Sequence, residues 1–341
     1  MISETLEKLM SVHGTSGDEY EVSALILKEL ENIPDCRAYI DKTGNVIAEK
    51  KGKNPPERKL LFLAGTDEAG FIITDIDENG FLRFECVGEM DPRAVIGKRV
   101  FVGKSKAVGL IGSKAIHLVP KADAEKPADT GDLYIDIGAD TKAEAEKLVS
   151  LGERAVFESD FCLFGSDFVM GGAAESRICP AILLEMLKEP AEYFYTAAFT
   201  VRSQTGGAGA GTAAFAVSPE VAVVVSPVAA ADFARSGEKA VCKTGSGAVL
   251  SFKDKRTAYD MELFRELSDL AEKSGISYQV CRGIPEKNES ALVHRTGEGI
   301  KTASVMMPCR YPKTPGAAVK LSDGEAMLKL LSVLKTELCK K

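Results

Sequence analysis

Acids, a serine, a glutamine and a lysine recur at one kind of place in this chain, immediately after segments that read as β-strands. Gly65-Thr66-Asp67-Glu68 follows the apolar run 59–64, and Arg202-Ser203-Gln204-Thr205-Gly206 follows a strand expected over 192–201. Ser226 ends the strand 221–225, Lys313 comes after the strand 301–306, and Ala174-Glu175-Ser176 precedes a helix expected over 177–188. Ligands of open α/β sheets sit beyond the carboxyl ends of the strands, so these residues converge on one cleft. Carboxylates there hold divalent metals or move protons. Ser203 and Lys313 would make a nucleophile and its base, but Arg202-Ser203-Gln204-Thr205-Gly206 is not a G-x-S-x-G elbow. The chain has three histidines, His13, His117 and His294, and none adjoins these positions.

The elements that must position these residues can be read in outline. Helices are expected over 2–12 and 18–32, then a hairpin over 38–50 pivoting on Thr43-Gly44-Asn45, and the strand 59–64. Residues 70–166 break into short alternating segments with frequent Gly turns, the pattern of a small β-barrel, with one helix over 141–151 opening on a Thr cap. After Gly171, helices and strands alternate: helices over 207–217, 260–274 and 323–339, strands over 248–252 and 277–281. That argues an α/β sheet layered by helices, built discontinuously from 1–69 and 167–341, with 70–166 inserted as a lid. The stretch 120–130, rich in Ala, Lys, Asp and Pro, is expected to be a mobile loop.

At 341 residues, 45% hydrophobic and 27% charged, the chain has the composition of a globular protein of about two domains. Its 43 basic against 50 acidic residues leave a net charge of −7, which argues against nucleic acid as a partner. The acidic start Met1-Ile2-Ser3-Glu4 does not read as an export signal, and no uncharged apolar run is long enough for a membrane span. Eight cysteines without a C-x-x-C pair read as reduced thiols of a cytoplasmic protein, Cys179 and Cys309 among them as buried ones. Gly209-x-Gly211-x-x-Ala214, with Asp232 further on, loosely fits a dinucleotide fingerprint, but close helix packing explains the small residues better.

Stretches across nearly the whole chain carry a family resemblance. They are Lys42-Thr43-Gly44-Asn45-Val46-Ile47-Ala48, Thr66-Asp67-Glu68-Ala69-Gly70-Phe71, Gly80-Phe81-Leu82-Arg83-Phe84, Asp91-Pro92-Arg93, Ile111-Gly112-Ser113-Lys114 with His117-Leu118, Asp132-Leu133-Tyr134-Ile135-Asp136-Ile137-Gly138-Ala139 and Arg310-Tyr311. In these the chain resembles the tetrahedral (glutamyl or deblocking) aminopeptidases, also described as cellulase M or endoglucanase M, which are two-metal exopeptidases. The resemblance implies a central mixed sheet sandwiched by helices, with a β-barrel lid and dimerisation domain inserted after the first metal-binding strand. It also implies self-association through that lid.

At the positions the resemblance assigns to metals, this chain departs from the family. The first His position holds Gly65, with Asp67 retained; the bridging Asp falls on Glu175; the general base and the adjacent ligand fall on Ser203 and Gln204. The next Asp falls on Ser226 and the last His on Lys313. Zinc prefers nitrogen and sulfur, so Asp67, Glu175 and Gln204 would hold it poorly. Lys313 is expected to replace the metals as counter-charge for Asp67 and Glu175, keeping the site near a charge of roughly −1. These departures imply a metallo-aminopeptidase homologue that has lost metal binding and hydrolysis, with no catalytic residue and no cofactor. Its role would be that of a structural or regulatory subunit, with itself or with an active paralog, or of a peptide binder. The alternative is an active aminopeptidase with a remodelled site holding two zinc or cobalt ions.

Overall fold

The computed structural model describes residues 2–115, 117, 129–233 and 241–340. Helices α1 (Ile2–Met10) and α2 (Tyr20–Leu30) lead into strands β1 (Cys36–Ile40), β2 (Val46–Lys50) and β3 (Leu60–Gly65). The next segment comprises β4 (Gly70–Ile76), β5 (Leu82–Val87), α3 (Pro92–Val95), β6 (Arg99–Val102), β7 (Ala107–Ser113), β8 (Leu133–Asp136), α4 (Lys142–Ala145) and β9 (Arg154–Phe157). Then come β10 (Cys162–Phe164), β11 (Phe168–Met170), α5 (Ala174–Lys188), β12 (Tyr195–Thr200), α6 (Ala208–Val217) and β13 (Val221–Ala229). The chain continues through β14 (Ala248–Leu250), α7 (Met261–Lys273), β15 (Tyr278–Val280), α8 (Ser290–Val293), β16 (Lys301–Arg310), β17 (Ala318–Lys320) and α9 (Leu321–Glu337).

An eleven-stranded mixed sheet runs β1-β2-β12-β3-β13-β16-β17-β11-β10, with β14 and β15 branching from β16. Its centre is apolar on both faces because both are covered, the condition that lets parallel strands lose their polar alternation. Along β3, Leu60, Phe62 and Ala64 join the core beneath α1, α5 and α9, while Leu61 and Leu63 pack with Ala210, Ala213 and Val293 of α6 and α8. Strands β4-β5-β8-β7-β6-β9 close into a barrel around its own core, where Phe71 meets Phe84 and Phe157 edge-on. The barrel docks through His13 against Phe101, Arg154 Nε on the Ser16 carbonyl at 3.3 Å, and Lys287 on Glu89 at 2.9 Å.

Several expected bounds differ. The helix over 141–151 is one turn, Lys142–Ala145, capped by Thr141; Ala145 and Val149 reach the barrel core, while Leu148 and Leu151 stay exposed. Helix α5 begins at Ala174, which puts Glu175 in its first turn instead of in a preceding loop. Strand β13 continues to Ala229 because it pairs residue for residue with β16 as far as Cys309, so Ser226 lies inside a strand. The barrel strands occupy 70–157, and β10, within the 70–166 range expected of the lid, pairs in the large sheet through β11. Residues 120–128 of the expected loop, and Leu118 beside His117, lie outside the described residues. Among the described residues no helix is long and apolar enough to cross a membrane.

Gly209 is held against the Val201 carbonyl and Asn45 Oδ1: a β-carbon there would come within 2.4 Å of both. Close packing, not a dinucleotide turn, therefore accounts for the small residues opening α6, and Asp232 pairs with Arg310 at 2.8 Å. One buried cation ties the cleft's supports together. Arg177 of α5 is wholly buried, with Nη2 on Glu68 Oε1 at 2.9 Å and further donation to the carbonyls of Leu9 and Thr66. Removing one partner of such a pair leaves an uncompensated buried charge. Arg177→Met should thus cost on the order of 3–5 kcal/mol in urea unfolding, and a loss under about 1 kcal/mol would contradict this assignment.

Candidate functional site

Strands β3 and β12 run parallel and in register to their ends, Thr200 opposite Gly65, so the residues that follow each are delivered side by side. Beyond that point the chain departs from strand geometry: Arg202 takes a left-handed φ of 60°, while its N–H is held by Glu19 Oε1 at 2.8 Å. That turn aims two main-chain N–H groups and one hydroxyl at Asp67. Oδ1 of Asp67 accepts from Ser203 N at 2.7 Å and Ser203 Oγ at 2.6 Å; Oδ2 accepts from Gln204 N at 2.8 Å and from the Ser16 hydroxyl. Asp67 has no solvent exposure. A carboxylate offers about four lone-pair positions, and all are used.

Glu175, in the first turn of α5, receives the Lys313 main-chain N–H at 2.6 Å on Oε2. Lys313 holds a left-handed φ of 59° and Tyr311 one of 51°, so the loop after β16 carries backbone strain at the cleft rim. Burial raises the Glu175 carboxyl above the usual carboxylate range, with the Lys313 N–H and charge opposing. Lys313 was expected as counter-charge for Asp67 and Glu175; among the described residues its ammonium makes no ion pair with either, its charge acts on Glu175, and the direct contacts of Asp67 are dipoles.

All the expected positions line one cavity of about 410 Å³: Gly65, Asp67, Glu175, Ser203, Gln204, Ser226 and Lys313, with Glu89 and Asp91 contributed by the barrel. Ser226 Oγ takes a hydrogen bond from Asn288 Nδ2 at 3.1 Å. Ser203 and Lys313 do not form a nucleophile and base pair, since the Ser203 hydroxyl is spent on Asp67. Gly65 cannot be exchanged alone: a β-carbon there would lie 2.6 Å from Ser203 Oγ and 2.7 Å from Ser203 Cβ. His117 is exposed and His294 Nδ1 contacts the Ser290 carbonyl, while Cys179 and Cys309 are buried thiols pushed up by burial.

Glu289, just before α8, escaped the sequence reading because it follows no strand and fits no spacing. It lines the cavity, is 5% exposed, and accepts from Thr200 Oγ1 at 2.6 Å. Burial, seconded by the Asp67 charge and opposed by Thr200, pushes its carboxyl up to about 8. Glu289 thus adds an acid to the cleft that is largely protonated at neutral pH and so brings little negative charge there.

The donor chemistry does not fit a pair of zinc ions. Gly65 has no side chain, Ser203 and Asp67 are committed to each other, and Lys313 presents a cation. Among the described residues no group of three or more His, Cys, Asp or Glu side chains is arranged to hold a metal.

Comparison with known proteins gives consistent matches. The family profile described as M42 glutamyl aminopeptidase matches residues 44–330. The lysyl aminopeptidase of Pyrococcus furiosus is 28% identical over 344 residues, 98% of this chain and 97% of that protein. Among solved structures, a TET aminopeptidase from the marine sediment archaeon Thaumarchaeota archaeon SCGC AB-539-E09 superposes with a TM-score of 0.93 at 28% identity, covering 99% of this chain and 97% of that one. The Pyrococcus horikoshii TET1 peptidase, described as assembling into a tetrahedron or a large octahedral shell, gives 0.85 at 30% identity, covering 99% and 100%.

Two predictions follow from the geometry. Gly65→Ala should destabilise the protein, and Ser203→Gly in the same chain should recover part of that loss; strict additivity in a double-mutant cycle would refute the steric coupling. The second concerns pH. Glu289 titrates at about 8 in the fold, against about 4.3 for an unfolded glutamate. The native state therefore keeps a proton that the unfolded chain has released, and this group's contribution declines as pH rises from about 4.3 to about 8. Glu289→Gln should flatten the fall in urea midpoint across that window, and parallel profiles would contradict the assignment.

Proposed function

The chain belongs to the M42 glutamyl aminopeptidase family, and we propose that it is a member whose cleft neither holds the family's metals nor hydrolyses peptides. The observation that carries this reading is the fourfold hydrogen bonding of Asp67 by Ser203, Gln204 and Ser16. The acid most nearly retained as a ligand has no lone pair left for an ion, and the residue at the general-base position, Ser203, is one of the groups that occupies it. Loss of a general base alone removes a factor of about 10² to 10⁴ in rate.

On this reading the cleft has turned from chemistry to binding. The protein assembles with copies of itself through the barrel, and with an active paralog as a structural or regulatory subunit, holding peptides without cleaving them. The assembly of the TET1 relative supports the self-association. The reading places the protein in the cytoplasm, consistent with eight cysteines that are all free thiols.

The test is an assay of purified protein with aminoacyl p-nitroanilides bearing neutral, basic and acidic residues, in the presence of zinc or cobalt. No turnover above the metal-only background is expected. Turnover that EDTA abolishes would overturn the reading in favour of a remodelled two-metal site using Asp67, Glu175 and Gln204. For the regulatory role, coexpression with an active paralog should yield a mixed oligomer, and failure to copurify would remove that part.

A further inference from the structure

Away from the cleft, at the β14–β15 branch of the sheet, the main chain brings two cysteines face to face. The N–H of Arg282 donates to the Val241 carbonyl at 3.0 Å, and the Gln279 side chain accepts the Lys243 N–H at 2.9 Å and donates to the Lys243 carbonyl at 2.7 Å. Residue 241 thus lies beside 282 and residue 243 beside 279, so the two segments run in opposite directions. Between these anchors stand Cys242 on one segment and Val280 and Cys281 on the other. Val280 turns outward, 39% exposed, whereas Cys242 and Cys281 pack into one apolar cluster with Val228, Ala230, Val249 and Met306.

Facing residues of antiparallel segments have Cα atoms about 4.5–5.5 Å apart, inside the range of about 4.4–6.8 Å that a disulfide spans. The two thiols are close enough for the charge of Cys281 to act on Cys242. Neither is held by a strong partner: Cys242 Sγ meets the Ala229 carbonyl at 3.6 Å and Cys281 Sγ the Gly283 carbonyl at 3.5 Å. The segment that Cys242 opens is a support of the cleft wall. Thr244 donates twice to Asp232, which pairs with Arg310 near the cleft loop, and the N–H groups of Gly245 and Gly247 hold Asp323 at the start of α9.

We propose that Cys242 and Cys281 are a reversible redox pair whose disulfide staples the segment 241–247 to the chain leaving β15. The inference is independent of what occupies the cleft. With hydrogen peroxide as the oxidant, the Cys281 sulfur attacks one peroxide oxygen, giving a sulfenic acid and one water. The Cys242 sulfur then displaces the hydroxyl, the S–S bond forms, and the two thiol protons end in the two waters to which the peroxide is reduced. Burial raises both thiols, Cys242 to about 12, while the Ser251 hydroxyl and the Gly283 main chain oppose the rise at Cys281, which makes Cys281 the attacking partner. Thiols of this kind react slowly, so the pair stays open in a reducing compartment and closes under sustained oxidation.

Peptide mapping of the full chain carrying Cys162→Ala tests this, since that change removes the exposed thiol that would link separate molecules. The protein is incubated with hydrogen peroxide, blocked with N-ethylmaleimide and digested with trypsin without reduction. The fragment 240–243 should appear joined to 274–282, and dithiothreitol should separate them. The thiols titrated in denaturant should fall from seven, the chain's eight less Cys162, to five. Closing the bond should raise the thermal midpoint by about 4 °C or more, and Cys281→Ala should abolish that rise. Cys242 and Cys281 both still open to N-ethylmaleimide after oxidation, sulfinic acids at either in place of the link, links among other cysteines only, or a link that leaves the midpoint unchanged would each overturn the proposal. The mapping keeps both cysteines of the pair and so does not depend on the Cys281→Ala variant folding.

Discussion

A carboxylate without solvent exposure must be compensated by a cation or by donors, and at Asp67 every direct contact is a donor, with the buried Arg177 charge acting from further off. Much of the cleft depends on that choice. Two of the four bonds come from the main chain of Ser203 and Gln204, which reach Asp67 only because Arg202 adopts a left-handed turn whose N–H is fixed by Glu19. The turn in turn requires β3 and β12 to end together, and the buried strands at the centre of the sheet fix that register. A buried acid is thus satisfied by preorganised dipoles, which need no ion and leave none of its oxygens open to one.

The residues around Asp67 behave as a set. Gly65 leaves the room that Ser203 fills, so neither is free to change without the other. Lys313 supports Glu175 with its main-chain N–H and, without an ion pair among the described residues, with its charge. Beneath them Arg177 carries the one fully buried charge pair named at the site, joining α5, the α1–α2 turn and the end of β3 through Glu68. Compensation in this cleft is therefore layered: a salt bridge below, amide and hydroxyl dipoles at Asp67, and two glutamates left under-satisfied on the cavity side.

Most of the fold was legible because its physical signals are local. Apolar runs such as 59–64 marked strands buried on both faces, short Gly-punctuated alternation marked the barrel, and the helix expected over 260–274 is α7. The convergence of residues 65, 67, 175, 203, 204, 226 and 313 on one cavity followed from their places near strand and helix ends. What escaped was set by tertiary pairing. Ser226 fell inside β13 because β16 continues beyond the expected 301–306 and pairs with it, and the Thr141 cap marked where a helix starts but not that it stops after one turn. Glu289 and Ser16 come to the cleft from loops, and the donor role of the Lys313 main chain belongs to a strained φ, none of which leaves a mark on residue type or spacing.

The measurement that bears most directly on this account is metal content by mass spectrometry after incubating purified protein with excess zinc or cobalt and dialysing it. The account predicts a stoichiometry near zero, because Asp67 keeps its four donors in preference to an ion. A value near two ions per chain would contradict it, since metals would then have displaced Ser203 and Gln204 from Asp67 and rebuilt a site from ligands that the structure does not bring together.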